Sequence, residues 1–264
     1  MKKNLLLGVS IVALAAASPA IGAPPVVPAV PFYNWTGFYG GGNFGYSWGT
    51  GDGTYNEPAF APLLPTAFSS SMRLYGVIGG GQFGYNWQAG PMWVFGLETD
   101  FQGSSEKGGT SYGTPYSYAF DCEGCVAHGM LNQTQEAKIL WFGTVRTRAG
   151  VLLTPTLWLY GSGGLAYGRI EGSGTVTDTA CTPAPTTCMW SYGSSATNVG
   201  WTAGGGIEGA IPNTHNWTWK VEYLYIDLGR VSGSGFDTDF GGPYSWSMKV
   251  TDNIIRFGLN YGFH

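Results

Sequence analysis

Eight stretches of this chain alternate with a period of two, and that alternation constrains the fold more than any motif does. From Phe38 to Trp48 one face reads Phe38, Gly40, Gly42, Phe44, Tyr46 and Trp48, the other Tyr39, Gly41, Asn43, Gly45 and Ser47. Period two with one large apolar face and one small or polar face is the pattern of a β-strand. It recurs at Phe83–Trp87, Trp93–Gln102, Trp141–Val151, Trp201–Ala210, Trp217–Tyr225 and Ile255–Phe263, and more weakly at Leu157–Gly168. The same glycines spell G-x-G-x-x-G at Gly40, Gly42 and Gly45 and again at Gly204, Gly206 and Gly209. A dinucleotide loop requires that motif between a strand and a helix, with an acid about twenty residues on. No helical pattern follows here, so the matches reflect the abundance of glycine, 44 of 264 residues.

The connections alternate in length. QAGP, TPT and PNTHN are tight turns after the second, fourth and sixth strands. The intervening stretches, 49–72, 104–138, 171–198 and 231–247, are long and rich in Gly, Ser, Thr and Asp, and read as surface loops. Their acids, Asp52, Glu57, Glu106, Asp121, Glu123, Glu136, Asp178, Asp237 and Asp239, are expected to be solvated. No extracellular ligand for them is legible.

Residues 1–23 are expected to form an export signal: Lys2 and Lys3, an apolar run, then a cut after Ala20 or Ala23. Residues 24–34 read as a proline-rich periplasmic linker and 35–264 as one β domain. Without Lys2 and Lys3 the twelve bases become ten against sixteen acids, a net charge near −6. That balance argues against nucleic acid, whose binding requires a basic stripe.

Charge decides which face looks inward. Glu98, Asp100, Glu208 and Glu222 share the polar faces with Arg146, Arg148, Lys220 and Arg256, four acids against four bases. The central part of each opposite face carries no charge and is crowded with rings. An eight-stranded barrel has interior space only for modest side chains. The rings must therefore face outward, which is tolerable only in lipid, and the charges line the lumen. The fold class expected is all-β: an eight-stranded antiparallel up-and-down transmembrane β-barrel in the outer membrane, in contact with its lipid and lipopolysaccharide. The glycines accommodate rings from neighbouring strands and tight curvature.

A plugged lumen with a structural or surface-interaction role is the leading expectation, and a narrow porin-like channel the alternative, since water-filled porins use sixteen or more strands. Catalysis is not expected: His128, His215 and His264 fall in separate places, and no G-x-S-x-G is present. Cys122, Cys125, Cys181 and Cys188 in an exported chain are disulfide candidates, as local pairs 122–125 and 181–188. Cys122, Cys125 and His128 form a weaker metal- or haem-binding alternative. No cofactor is expected.

The segments NWTGFYGGGNFGYSWG (34–49), IGGGQFGYNW (78–87), GLETDFQGS (96–104), LWFGTVRTRAG (140–150), LYGSGGLAYG (159–168), KVEYLYIDLG (220–229) and RFGLNYGF (256–263) resemble the small outer-membrane β-barrel proteins of alphaproteobacteria, many catalogued as the porin family. The resemblance runs from residue 34 to the end. It implies insertion by the barrel-assembly machinery and a mainly structural or surface role, with host interaction or haem binding linked to some relatives. It also implies a terminal assembly signal at Tyr261 and Phe263, from which His264 is a departure.

Overall fold

The computed structural model describes residues 33–58, 67–119, 126–181, 186–237 and 242–263. The expected export signal with its cut after Ala20 or Ala23, residues 24–32 of the expected linker, Asp121, Cys122, Glu123, Cys125, Asp239 and His264 lie outside the described residues.

Among the described residues nine antiparallel strands follow one another: β1 (Gly37–Asn56), β2 (Ala67–Ala89), β3 (Trp93–Ser104), β4 (Lys107–Ala119), β5 (Val126–Thr154), β6 (Leu157–Cys181), β7 (Thr186–Ala210), β8 (Trp217–Asp237) and β9 (Gly242–Gly262). β1 pairs with both β2 and β9, so among the described residues the sheet closes on itself, as lipid requires of spanning strands. β3 pairs with β5 from Trp93 opposite Val151 to Gly103 opposite Trp141, and β4 continues along β5 from Lys107 opposite Lys138. β3 and β4 are thus one wall strand interrupted at Ser105 and Glu106. Nine segments build a ring of eight, as the alternation predicts.

The outward faces between the two ends of the band carry the predicted rings and aliphatics, with Phe44 66%, Leu97 59%, Leu165 59% and Trp87 58% exposed. Several outward rings lie over a glycine on the neighbouring strand. A Cβ on Gly143 would stand 2.5 Å from the ring of Tyr167, its register partner, and one on Gly209 would stand 2.8 Å from that of Trp219.

The long outer loops of the sequence reading are corrected by the structure. Apart from β3 and β4, the strands run 20 to 29 residues, about twice the nine to eleven that cross a bilayer. Most of 49–72, 104–138, 171–198 and 231–247 is strand. Beyond the lipid the polarity inverts. Tyr55, Met72, Leu131, Val176, Tyr192, Trp246 and Met248 now point inward and join Leu74, Phe142, Ile170, Leu224 and Ile254 in one apolar core. Thr, Ser and Asp take the outer face, as water requires. Glu57, Glu106 and Asp178, expected as solvated loop acids, are buried at 0%, 1% and 3% exposure.

At the opposite end lies a second apolar cluster: Trp35, Val94, Leu152, Trp158 and Tyr160. Trp35 is fixed there by its indole N–H, which donates to the Pro155 carbonyl at 3.2 Å. Trp158 and Tyr160 point inward, so the Leu157–Gly168 strand carries rings on its lumen face. That is why its alternation looks weak.

Candidate functional site

Between the two apolar clusters lies the charged layer. All eight predicted residues meet there, each no more than 3% exposed: Glu98 and Asp100 from β3, Arg146 and Arg148 from β5, Glu208 from β7, Lys220 and Glu222 from β8, and Arg256 from β9. Strand register makes three acid–base pairs direct neighbours: Glu98 opposite Arg146, Glu208 opposite Lys220, and Glu222 opposite Arg256. The remaining acid and base, Asp100 and Arg148, reach across the lumen. Asp100 Oδ2 accepts from Arg256 Nη2 at 2.8 Å, and Arg148 Nη2 pairs with Glu208 Oε2.

Glu98 is the hub. Its carboxylate accepts from Arg146 at 2.5 Å, Arg148 at 2.9 Å, Lys220 at 2.8 Å and the Tyr39 hydroxyl at 2.7 Å. Glu222 accepts from Arg146 at 2.7 Å and from Arg256 Nε at 2.9 Å. The Arg148 guanidinium lies over the rings of Tyr160 at 4.2 Å and Trp158 at 4.4 Å. It thereby joins the ionic layer to the apolar cluster below. Buried charges are tolerable only when paired and hydrogen-bonded, and four positive groups face four negative ones.

Glycines make room for these long side chains. Six of the eight charges have a glycine as a register partner: Gly84 for Glu98, Gly96 for Arg148, Gly164 for Arg146, Gly206 for Glu222, Gly258 for Lys220 and Gly45 for Arg256. At Gly164 a Cβ would stand 2.1 Å from the Val145 carbonyl and 2.7 Å from the Arg146 Cα. Inward glycines therefore serve the charges, while outward ones serve the rings.

Three participants were missed in the sequence. Tyr39, Trp158 and Tyr160 belong to the ionic layer, and the inward phase of Tyr39 beside Gly41 and Asn43 was the available signal. A second acidic pair above the layer was also missed. Ser47 Oγ lies 2.5 Å from Glu106 and 2.6 Å from Asp252, both 1% exposed. Glu106 points inward because the wall strand breaks there: Gly76 lets its backbone approach, and Ile139 N–H donates to its carbonyl at 3.1 Å. One hydroxyl has one hydrogen, so Ser47 can donate to only one of the two carboxyls at a time.

Other predicted residues stand apart. His128 shares a 2.7 Å hydrogen bond with Ser117 on an exposed face, and His215 sits exposed in a turn. Cys122 and Cys125, and with them the 122–125 pairing and the metal or haem set with His128, lie outside the described residues; the Cys181 and Cys188 side chains do too. Among the described residues no group of three His, Cys, Asp or Glu is placed to hold a metal ion. Tyr261 and Phe263 are exposed on the band at the end that holds Trp35, 5.6 Å between ring centres, and Phe263 N–H donates to the Phe38 carbonyl at 2.8 Å. In the outer extension burial pushes the Tyr192 hydroxyl above its ordinary value, and its oxygen accepts from Gln133 at 2.9 Å.

The family model and the sequence relatives agree with this architecture. The model of the outer membrane protein beta-barrel domain matches residues 5–263. The chain is 36% identical over 249 residues to the 31 kDa outer-membrane immunogenic protein of Brucella melitensis biotype 1, covering 91% of this chain and 88% of that protein. It is 30% identical over 236 residues to the 22 kDa outer membrane protein of Rhizobium leguminosarum bv. viciae, covering 89% and 82%. A solved structure, that of OprG from Pseudomonas aeruginosa, aligns at a TM-score of 0.38 and 9% identity over 87% of this chain and 98% of that one. A barrel with rings outward, charges inward and relatives of this extent is an integral protein of the outer membrane, and the chain belongs to the outer-membrane β-barrel domain family of small alphaproteobacterial envelope proteins.

Proposed function

We propose that this protein is a closed barrel with a structural and surface-presenting role, conducting no solute and catalysing no reaction. One observation carries the reading. Among the described residues the neutral ionic layer lies between two apolar clusters, which supports a sealed lumen. Apolar side chains above charges exclude water, whereas a diffusion channel requires a continuous water-filled path. Planar-bilayer recording of the refolded protein tests this: a silent bilayer is expected, and steady large openings would refute it in favour of the narrow-porin reading.

The surface role rests on the strand extension, which projects a ribbed wall beyond the lipid rather than four loops. The Brucella relative is named for being immunogenic. The same extension would be the part of this chain presented outside the cell. Limited proteolysis of intact cells checks it: cleavage is expected near the strand tips and not within the ionic layer.

A further inference from the structure

Ten bases follow the export segment, and four of them make the ionic layer. The other six, Arg73, Lys107, Lys138, Arg169, Arg230 and Lys249, all have outward positions on their strands. They also share a level. Arg73 lies two residues beyond the exposed Tyr75, Arg169 two beyond Tyr167, and Lys138 two beyond the exposed Leu140, each on the outer side of the apolar band.

Four of them form a continuous row across β2, β4, β5 and β6. Lys107 pairs in register with Tyr75, which makes Arg73 its diagonal neighbour. Lys107 stands directly opposite Lys138. Lys138 pairs with Glu171, two residues from Arg169. Directly opposed like charges weaken a sheet, and Lys107 and Lys138 are so opposed on an exposed face. Among the described residues the ion pair in this row is Lys138 with Glu136 at 3.9 Å, with both side chains about half exposed, so it neutralises little. No carboxylate is within ion-pair distance of Arg73, Lys107 or Arg169 among the described residues. Glu136 and Glu171 offset only part of the four positive charges, so the row keeps a net positive charge, and it lies along the border where hydrocarbon ends and water begins.

An acidic protein or a nucleic acid would not need that border. A lipid with anionic groups above and acyl chains below fits it: the phosphates meet the row and the chains lie on Tyr75, Leu140 and their neighbours. We propose that Arg73, Lys107, Lys138 and Arg169 bind the phosphates of the outer leaflet's acylated glycolipid, lipopolysaccharide. This rests on the long strand ends facing outward, and is independent of whether the lumen conducts.

The test uses full-length refolded protein in neutral detergent, with bisphosphorylated lipid A and its dephosphorylated form as probes. Lipid retained per barrel is measured after gel filtration, and heat-shifted migration on a detergent gel verifies folding. Wild type is expected to retain the bisphosphorylated lipid at least about tenfold better than the dephosphorylated one, because the contacts are to phosphate. The R73Q/K107Q/K138Q/R169Q variant is expected to lose that preference, and R230Q/K249Q, on other strands, to keep it. Should the quadruple variant not fold, K107Q/K138Q replaces it, with an expected loss of at least threefold. Equal retention of the two lipids by wild type, or an undiminished preference in the folded row variant, would overturn the assignment.

Discussion

Glu98→Gln is the sharpest probe of a sealed lumen. The glutamine keeps the shape of the side chain and removes one negative charge from a layer holding four of each sign. Glu98 accepts hydrogen bonds from Arg146, Arg148 and Lys220 at 2.5–2.9 Å, and the side chains of all four are fully inaccessible. Removing one partner from a buried pair costs about 3–5 kcal/mol, a hundred- to several-thousandfold in the folding equilibrium. The same change in a solvated pair costs about 0.2–1 kcal/mol. The two cases are therefore well separated. Urea unfolding in phospholipid vesicles, followed by tryptophan fluorescence, measures the loss. Combining Glu98→Gln with Lys220→Met restores neutrality, because Glu222 keeps Arg146 and Arg256. The double variant is expected to regain about 2 kcal/mol as coupling energy. A loss near 1 kcal/mol or less, with no recovery in the double variant, would show these charges to be hydrated and would refute the plug.

Three further outcomes follow from the packing. Phe142, 1% exposed in the upper apolar core, is expected to cost about 3–5 kcal/mol when truncated to alanine; a change below 1 kcal/mol in the same titration would mean that core is not packed. Gly164→Ala places a methyl 2.1 Å from a backbone carbonyl, so the fast-migrating unboiled gel band is expected to disappear. Gly42→Ala, whose nearest neighbour is 3.7 Å away, is expected to keep that band with stability within about 0.5 kcal/mol; equal behaviour of the two glycines would dismiss the close-approach argument. Trp87 is 58% exposed and Trp158 0%, so in single-tryptophan chains brominated acyl chains are expected to quench the first and spare the second, and the reverse would turn the barrel inside out.

Much of this architecture is legible in the sequence. The period-two alternation gives the strands, and the segregation of charge gives their inner faces, because lipid tolerates rings and not ions. The eight ionic residues are recognisable on that ground alone. Their wiring is not. Asp100 and Arg256 are distant in sequence and on non-adjacent strands, and only closure of the ring sets them 2.8 Å apart. The outer extension was misread for a physical reason. Past the membrane the solvent changes and the apolar face switches sides, so Tyr55, Met72 and Val176 sit among small polar residues that resemble loop composition. Glu106 escaped notice because its inward direction comes from a strand break, which no periodicity announces.

The wiring of the ionic layer also dictates an order of events during biogenesis. Glu98 with Arg146 and Glu222 with Arg256 can meet as soon as neighbouring strands pair. Asp100 with Arg256 and Arg148 with Glu208 cannot, because their strands approach only when the sheet rolls up. A flat sheet pressed into hydrocarbon would offer naked ions to the acyl chains, at a cost of several kcal/mol apiece. Rolling must therefore precede immersion, and the nascent sheet must curl in a place still reached by water.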